Sequence, residues 1–178
     1  MQTTAAISLY LPRVLTELVY DYFKPQTDDD FDIAQMGCYE LCSLIKFPDV
    51  GLMGACEGGY VEIVKMMIGR GATVSSNCLD RACVGNQADL AVFVIESSKL
   101  NWNDGLRSAC AFGSIELAKL VIGRGATDFD GGMFWAVNCG QVGMVDLMIE
   151  YGVTVCPWCK EPIGPEHHPI RGHDTVYA

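Results

Sequence analysis

The chain is poor in basic side chains and in histidine. Its 178 residues include 12 Lys and Arg against 22 Asp and Glu, which gives a formal net charge of -10. Because a net negative field repels phosphate groups, we expect neither nucleic acid nor an anionic membrane surface as a partner. All the histidines lie beyond residue 166, so the rest of the chain cannot assemble a Ser/His/Asp or Cys/His catalytic set. We therefore expect a protein without enzymatic activity.

Long apolar segments and a basic N-terminal region are also missing. No apolar run approaches the roughly 18 residues that a membrane-spanning helix requires. Residues 1–6 carry no basic side chain, and Arg13 and Glu17 interrupt the segment that follows, which argues against a signal peptide. The sequence therefore predicts an intracellular protein that is not secreted. Its Cys count of 9 is odd, and we expect reduced thiols instead of a disulfide scaffold.

The chain does contain an internal repeat with a period of 27 residues. One column of this repeat consists of the alanines Ala55, Ala82, Ala109 and Ala136. A second column, which breaks the chain in the middle of each repeat, consists of Gly59, Asn86, Gly113 and Gly140. Apolar residues recur at helical spacing on both sides of this break, so each repeat is predicted to form two helices. One such pair cannot bury its apolar face alone, and we therefore expect an all-α solenoid of stacked helix pairs.

Two further columns predict local features of these helices. Residues suited to helix N-caps, whose side-chain oxygens accept backbone N–H bonds, recur at Asp49, Ser76, Asn103 and Asp130. A cysteine follows the repeated alanine in three repeats, at Cys56, Cys83 and Cys110. Small thiols at these positions are predicted to pack in the interior instead of serving as nucleophiles.

The segment Leu52-x-x-Ala55-Cys56-x-x-Gly59, with the apolar stretch that continues to Gly71-Ala72, resembles an ankyrin repeat. The match recurs at 78–100, 105–127 and 132–154, and a degenerate copy begins at Ile33, so the resemblance covers residues 31–155. Ankyrin repeats usually have a period of about 33 residues, and the residues missing here fall where the family forms a β-hairpin finger. The resemblance therefore implies a helical solenoid of four clear repeats and one degenerate repeat, with shortened or absent fingers.

Repeats of this length that end in Gly-Ala-Thr are similar to those of tandem ankyrin proteins of large DNA viruses of eukaryotes. This resemblance implies a viral protein that binds another protein in the cytoplasm of a host cell. It leaves a second role open, that of a structural component of a virus particle.

Ankyrin-type stacks bind partners through a concave face formed by the first helices and the loops before them. Positions on this face that vary between repeats predict a partner-binding set at Glu57, Asp80, Arg81, Arg107, Phe112, Phe134 and Trp135. Arg and aromatic side chains are typical of interface hot spots. The sequence leaves open whether Phe112, Phe134 and Trp135 lie on this surface or fill the core.

Residues 1–30 precede the repeats. Leu11-Pro12 is followed by an amphipathic stripe that includes Val14, Leu15 and Leu18. This pattern resembles the opening of an F-box, which implies docking on a ubiquitin-ligase scaffold and a role as a substrate adaptor. The same stripe is suited to cap the apolar edge of the first repeat. Both interpretations, an F-box-like helix and a capping helix, stay open.

Residues 156–178 form a tail that contains Cys and His. The spacing of Cys156 and Cys159 lets one turn direct two thiols to one point, which is half of a tetrahedral zinc site. His167 or His168, together with His173, is predicted to supply the remaining ligands of a structural zinc ion. The viral proteins that the repeats resemble often end in a similar tail, so the resemblance implies the same kind of site. The alternative is a C-terminal cap with thiols and surface histidines and no cofactor.

Overall fold

The computed structural model describes residues 29–37, 39, 42, 45–164 and 169. Within these ranges the chain forms nine helices and no β-strand, and an isolated antiparallel bridge joins Val155 to Pro162. The helices are α1 (Asp29–Gln35), α2 (Pro48–Gly58), α3 (Val61–Gly69), α4 (Ser76–Val84), α5 (Ala88–Glu96), α6 (Trp102–Phe112), α7 (Ile115–Gly123), α8 (Phe129–Asn138) and α9 (Val142–Glu150). For the described residues, the predicted all-helical fold is confirmed.

Among the described helices, none combines the length and the apolar character needed to cross a bilayer. The predicted N-terminal helix, F-box-like or capping, lies outside the described residues. The chain divides into an N-terminal unit that ends at Val74 and a C-terminal unit that begins at Ser75.

The N-terminal unit contains α1, α2 and α3, and α2 packs against both of the others. The backbone of α1 approaches α2 so closely that a Cβ atom at Gly54 would overlap the carbonyl group of Phe31. The buried carboxylate of Asp30 accepts hydrogen bonds from the backbone N–H groups of Lys46 (3.0 Å) and Phe47 (2.9 Å). Asp30 thereby fixes the residues that lead into α2.

The C-terminal unit contains α4 to α9, which are the helix pairs of three successive repeats. The first helices contact one another in order, α4 with α6 and α6 with α8, and the second helices α5, α7 and α9 do the same. The repeated alanines of the first helices, Ala82, Ala109 and Ala136, are completely buried. A side chain that stops at Cβ allows neighbouring helices to approach closely at these positions.

The column that breaks each repeat has a left-handed backbone, as its glycines suggest. The φ angle is 79° at Gly113 and 70° at Gly140, and it is 54° at Asn86, the column's non-glycine member. Glycine enters the left-handed region without steric cost, and Asn is among the few other residues that visit it routinely. The backbone at this turn therefore explains the residue types of the whole column.

The predicted N-cap column is wrong by one or two residues. Asn101 is the actual N-cap of α6: its side chain accepts a 3.0 Å hydrogen bond from the N–H of Asp104, whose carboxylate accepts one of 2.9 Å from the N–H of Asn101. The predicted cap, Asn103, lies inside α6 and accepts a hydrogen bond from the backbone N–H of Thr127 (2.8 Å). The actual N-caps of the first helices are Phe47, Ser75, Asn101 and Asp128.

Candidate partner-binding groove

A groove of about 560 Å³ lies on the C-terminal unit and is lined mainly by α4, α6 and α8, the first helices of three repeats. Four residues of the predicted partner-binding set line it: Asp80, Arg107, Phe112 and Trp135. They come from three helices that are far apart in sequence, so the packing of the repeats brings them together. We call this feature the first-helix groove.

The helical repeat explains why these side chains share one face. On α8, Met133 and Ala136 are completely buried, whereas Phe134 and Trp135 between them are exposed. The equivalent positions of α4 and α6 follow the same pattern. In each helix a buried Leu and a buried Ala flank two residues that are exposed or half-buried, which are Asp80 and Arg81 in α4 and Arg107 and Ser108 in α6. The positions that vary between repeats therefore project from the face opposite the buried one.

The polar side chains of the groove are held by hydrogen bonds and an ion pair. The Ser108 hydroxyl on α6 donates a 2.7 Å hydrogen bond to Oδ1 of Asp80 on α4. The guanidinium of Arg107 pairs with the carboxylate of Asp104 one turn earlier in α6. These contacts fix the orientation of Asp80 and Arg107 before any partner arrives.

An aromatic cluster borders the groove on α8. Phe134 lies edge-on to Trp135, with ring centroids 5.8 Å apart, and is stacked on Trp158 at the same distance. Phe112 on α6 and Trp135 both line the groove. All four side chains are 40–50% exposed. The question that the sequence left open is therefore answered: Phe112, Phe134 and Trp135 lie on the surface.

Sequence reasoning missed Trp158 as a member of this cluster. It lies in the turn between Cys156 and Cys159, which the sequence places in a separate tail. A cavity of about 460 Å³ between this turn and α8 is lined by Phe134 and Cys156 among others, so the turn folds back onto the last repeat. The repeat spacing carries no signal for this contact, since the tail has no counterpart in earlier repeats.

Two predicted partner-binding residues lie elsewhere. Arg81 is exposed on α4 but does not line the first-helix groove. Glu57 belongs to the N-terminal unit, where its half-buried carboxylate accepts a 2.7 Å hydrogen bond from the side chain of Gln35. Glu57 is therefore engaged by α1, and the predicted partner-binding residues that share one groove all belong to the C-terminal unit.

The turn that carries Cys156 and Cys159 is well defined. The N–H of Cys156 donates to the carbonyl of Glu161 (2.9 Å), and the N–H of Lys160 donates to the carbonyl of Cys156 (3.1 Å). Lys160 has a left-handed backbone, with φ 62°. Cys156 is buried and Cys159 is exposed. The Glu161 backbone lowers the pKa of the Cys159 thiol, but desolvation, the neighbouring Cys156 thiol and the Glu161 charge outweigh this effect, so the pKa of Cys159 is raised above its usual value.

A tetrahedral zinc site that uses this pair would need both thiols as thiolates at one point and two further ligands. In the part of the chain that the structure describes, no group of three His, Cys, Asp or Glu side chains converges. The predicted ligands His167 and His173, and the alternative His168, lie outside the described residues. A completed zinc site stays a prediction.

The cysteines of the repeat column have a packing role. Cys56, Cys83 and Cys110 are buried in first helices. Burial is the main cause that raises the pKa of Cys83 and Cys110 to about 12, with Asp80 and Asp128 adding to it. These two thiols are therefore protonated at neutral pH and make poor nucleophiles.

A comparison of the chain with protein-family models and with curated proteins finds no match.

Proposed function

We propose that this protein is a non-enzymatic binding module that holds another protein in the first-helix groove. One observation carries the proposal: side chains that vary between repeats converge from three helices on one groove, beside a cluster of exposed aromatic rings. Exposed apolar patches with a polar rim are typical of protein–protein interaction sites. Aromatic and Arg side chains contribute most to the binding energy at such sites.

We also propose that the helix pairs form an ankyrin-like solenoid without fingers. The ordered contacts among first helices and among second helices support this arrangement in the C-terminal unit. The connections between repeats there, residues 97–101 and 124–128, contain no strand. Stacking of this kind creates the extended concave surface that repeat proteins use for binding. From the sequence resemblance, we further propose that the protein is viral and acts in the cytoplasm of the host cell.

Affinity capture with a matched pair of variants tests the function. Trp135→Ala removes an aromatic side chain from the groove, and Ile115→Ala removes an equally exposed apolar side chain from α7, outside it. A genuine groove partner should be captured by the parent protein and by Ile115→Ala but lost with Trp135→Ala. If no captured protein distinguishes the two variants, the groove is not the binding site.

The sequence also leaves two alternative roles open. Recovery of a ubiquitin-ligase scaffold in the same capture would support the adaptor role, whereas the structural role requires a separate measurement, detection of the protein in purified virus particles. For the adaptor, Leu11→Asp should abolish scaffold binding and leave the fold intact. If Leu11→Asp unfolds the protein instead, the N-terminal helix is a cap.

A further inference from the structure

The polar side chains of the first-helix groove have a net negative charge. The lining includes the carboxylates of Asp80 and Asp104 and one guanidinium, that of Arg107. Arg107 is paired with Asp104 on the same helix, so these two charges offset each other. Asp80 accepts its hydrogen bond from the neutral hydroxyl of Ser108, which orients the carboxylate without cancelling its charge. A cationic group is the electrostatic complement of this end of the groove.

The α8 end of the groove is aromatic. Trp135 and Phe112 are both 42% exposed, so each presents part of its ring to a partner. Trp135 is held edge-on by Phe134, which is stacked on Trp158, and this support limits its freedom before binding. A rigid aromatic wall binds a large apolar side chain with little loss of conformational entropy.

The contacts on α6 relate these two features. Asp80 is hydrogen-bonded to Ser108, and Phe112 follows Ser108 one turn later on the same helix, a rise of about 6 Å. An extended chain advances about 3.3 Å per residue, so about two residues of it span this distance. Residues i and i+2 of an extended segment point to the same side, so one can reach Asp80 while the other reaches the aromatic end.

We propose that the first-helix groove binds an extended segment of a partner protein that carries a basic residue and, about two residues away, a large apolar residue. The Lys or Arg side chain pairs with Asp80, and the apolar side chain packs between Phe112 and Trp135. The inference rests on the proposed function and adds the chemistry of the partner. An acidic segment or a nucleic acid would bring like charge against Asp80 and against the chain's net charge of -10.

Selection of a phage-displayed library of random 12-residue peptides on the full-length protein tests this inference. Enriched peptides should pair a basic residue with an aromatic or large aliphatic residue about two or three positions away. A synthetic copy of an enriched peptide should bind Asp80→Asn at least about tenfold more weakly. Asn can still accept the Ser108 hydrogen bond, so this variant removes the charge and keeps the local structure. Selection on Asp80→Lys should enrich acidic residues instead.

Alkylation of Cys139 provides an independent measurement of peptide binding, because its exposed thiol lines the groove. In protein treated with chelator, so that no metal protects Cys159, a bound peptide should slow alkylation of Cys139 by iodoacetamide, whereas the exposed Cys159, which does not line the groove, should react at an unchanged rate.

Two results would overturn the inference and leave the proposed function standing. One is enrichment of peptides that lack a basic residue, and the other is equal affinity for the parent and Asp80→Asn. Absence of any enrichment above that obtained on Trp135→Ala would also overturn it. The proposed function fails on a different result, a captured partner protein that binds Trp135→Ala as well as the parent.

Discussion

Asn103 accepts a hydrogen bond of 2.8 Å from the backbone N–H of Thr127, and the same oxygen accepts one of 3.1 Å from the N–H of Asp128. Two repeats earlier, Asp49 and Thr73 form the equivalent bond at 2.7 Å. In both cases a polar side chain near the start of a first helix holds the loop that follows the second helix of its own repeat. This contact closes these two helix pairs.

Asn103→Ala should therefore destabilise the protein by about 0.5–1.5 kcal/mol, because the N–H groups of Thr127 and Asp128 lose their protein acceptor. Asn103→Asp is the matched control: it keeps an acceptor oxygen, as Asp49 does, and should stay within about 0.5 kcal/mol of the parent. Urea unfolding followed by circular dichroism measures both. If Asn103→Ala is as stable as the parent, the contact does not hold the loop.

Ala109→Leu should destabilise the protein by about 1–3 kcal/mol through overpacking, because Ala109 is completely buried on α6, between α4 and α8. Ala111→Leu, at a half-buried position on the same helix, is the control and should change stability by less than about 0.5 kcal/mol. Thermal unfolding of the two variants makes the comparison. Similar melting temperatures for both would show that the alanine column is not a packing contact.

A column of the repeat predicts the local structure correctly when its residue type has only one suitable physical role. A column of alanines such as Ala109 indicates close helix packing, and a column of Gly with one Asn indicates a left-handed turn. The predicted N-cap role of Asn103 is wrong because its side-chain oxygen is equally suited to capping a helix and to holding a loop. Which of these two roles Asn103 has depends on whether the loop after α7 passes close to its side chain. The sequence around Asn103 does not contain this information.

In the candidate site, too, the repeat gives information on the positions that recur and none on the residues that occur once. Phe134 and Trp135 occupy positions that vary between repeats, which indicates the partner-binding face, but their apolar character is equally suited to the core, so the sequence alone does not decide their exposure. Trp158 joins them through a turn that occurs once in the chain, so no repeated column indicates its place. The period also could not predict that Glu57 is engaged by Gln35, because α1 belongs to the degenerate repeat.

The free energy of unfolding should fall as the pH rises above about 9. Burial raises the pKa of Cys83 and Cys110 from 9.0 to about 12. Between these values the unfolded chain loses thiol protons that the folded chain keeps, so alkali favours unfolding. Each thiol contributes up to about 1.4 kcal/mol per pH unit in this window and nothing well below pH 8.

Urea unfolding at pH 7.5 and pH 10 measures this dependence. The double variant Cys83→Ala/Cys110→Ala should lose less stability between the two pH values than the parent does. An equal loss in both proteins would mean that the buried thiols are not the titrating groups.

Elemental analysis of protein purified without chelator tests the tail. We expect about one zinc ion per chain, since the two thiols of the turn already provide half of a tetrahedral site. Cys159→Ser should lose the metal, whereas Cys139→Ser, which changes an exposed thiol outside the turn, should retain it. If the parent contains no zinc and Cys159 is readily alkylated in the folded protein, the tail is a cap without metal.

The most direct test of the binding function is calorimetric titration of the captured partner against two variants. Trp135 and Ile115 are both 42% exposed, and Trp135 alone of the two lines the groove. Trp135→Ala should weaken binding by about thirtyfold or more, as expected for an aromatic hot spot, and Ile115→Ala should leave the Kd unchanged. Equal Kd values for the two variants would contradict binding in the first-helix groove.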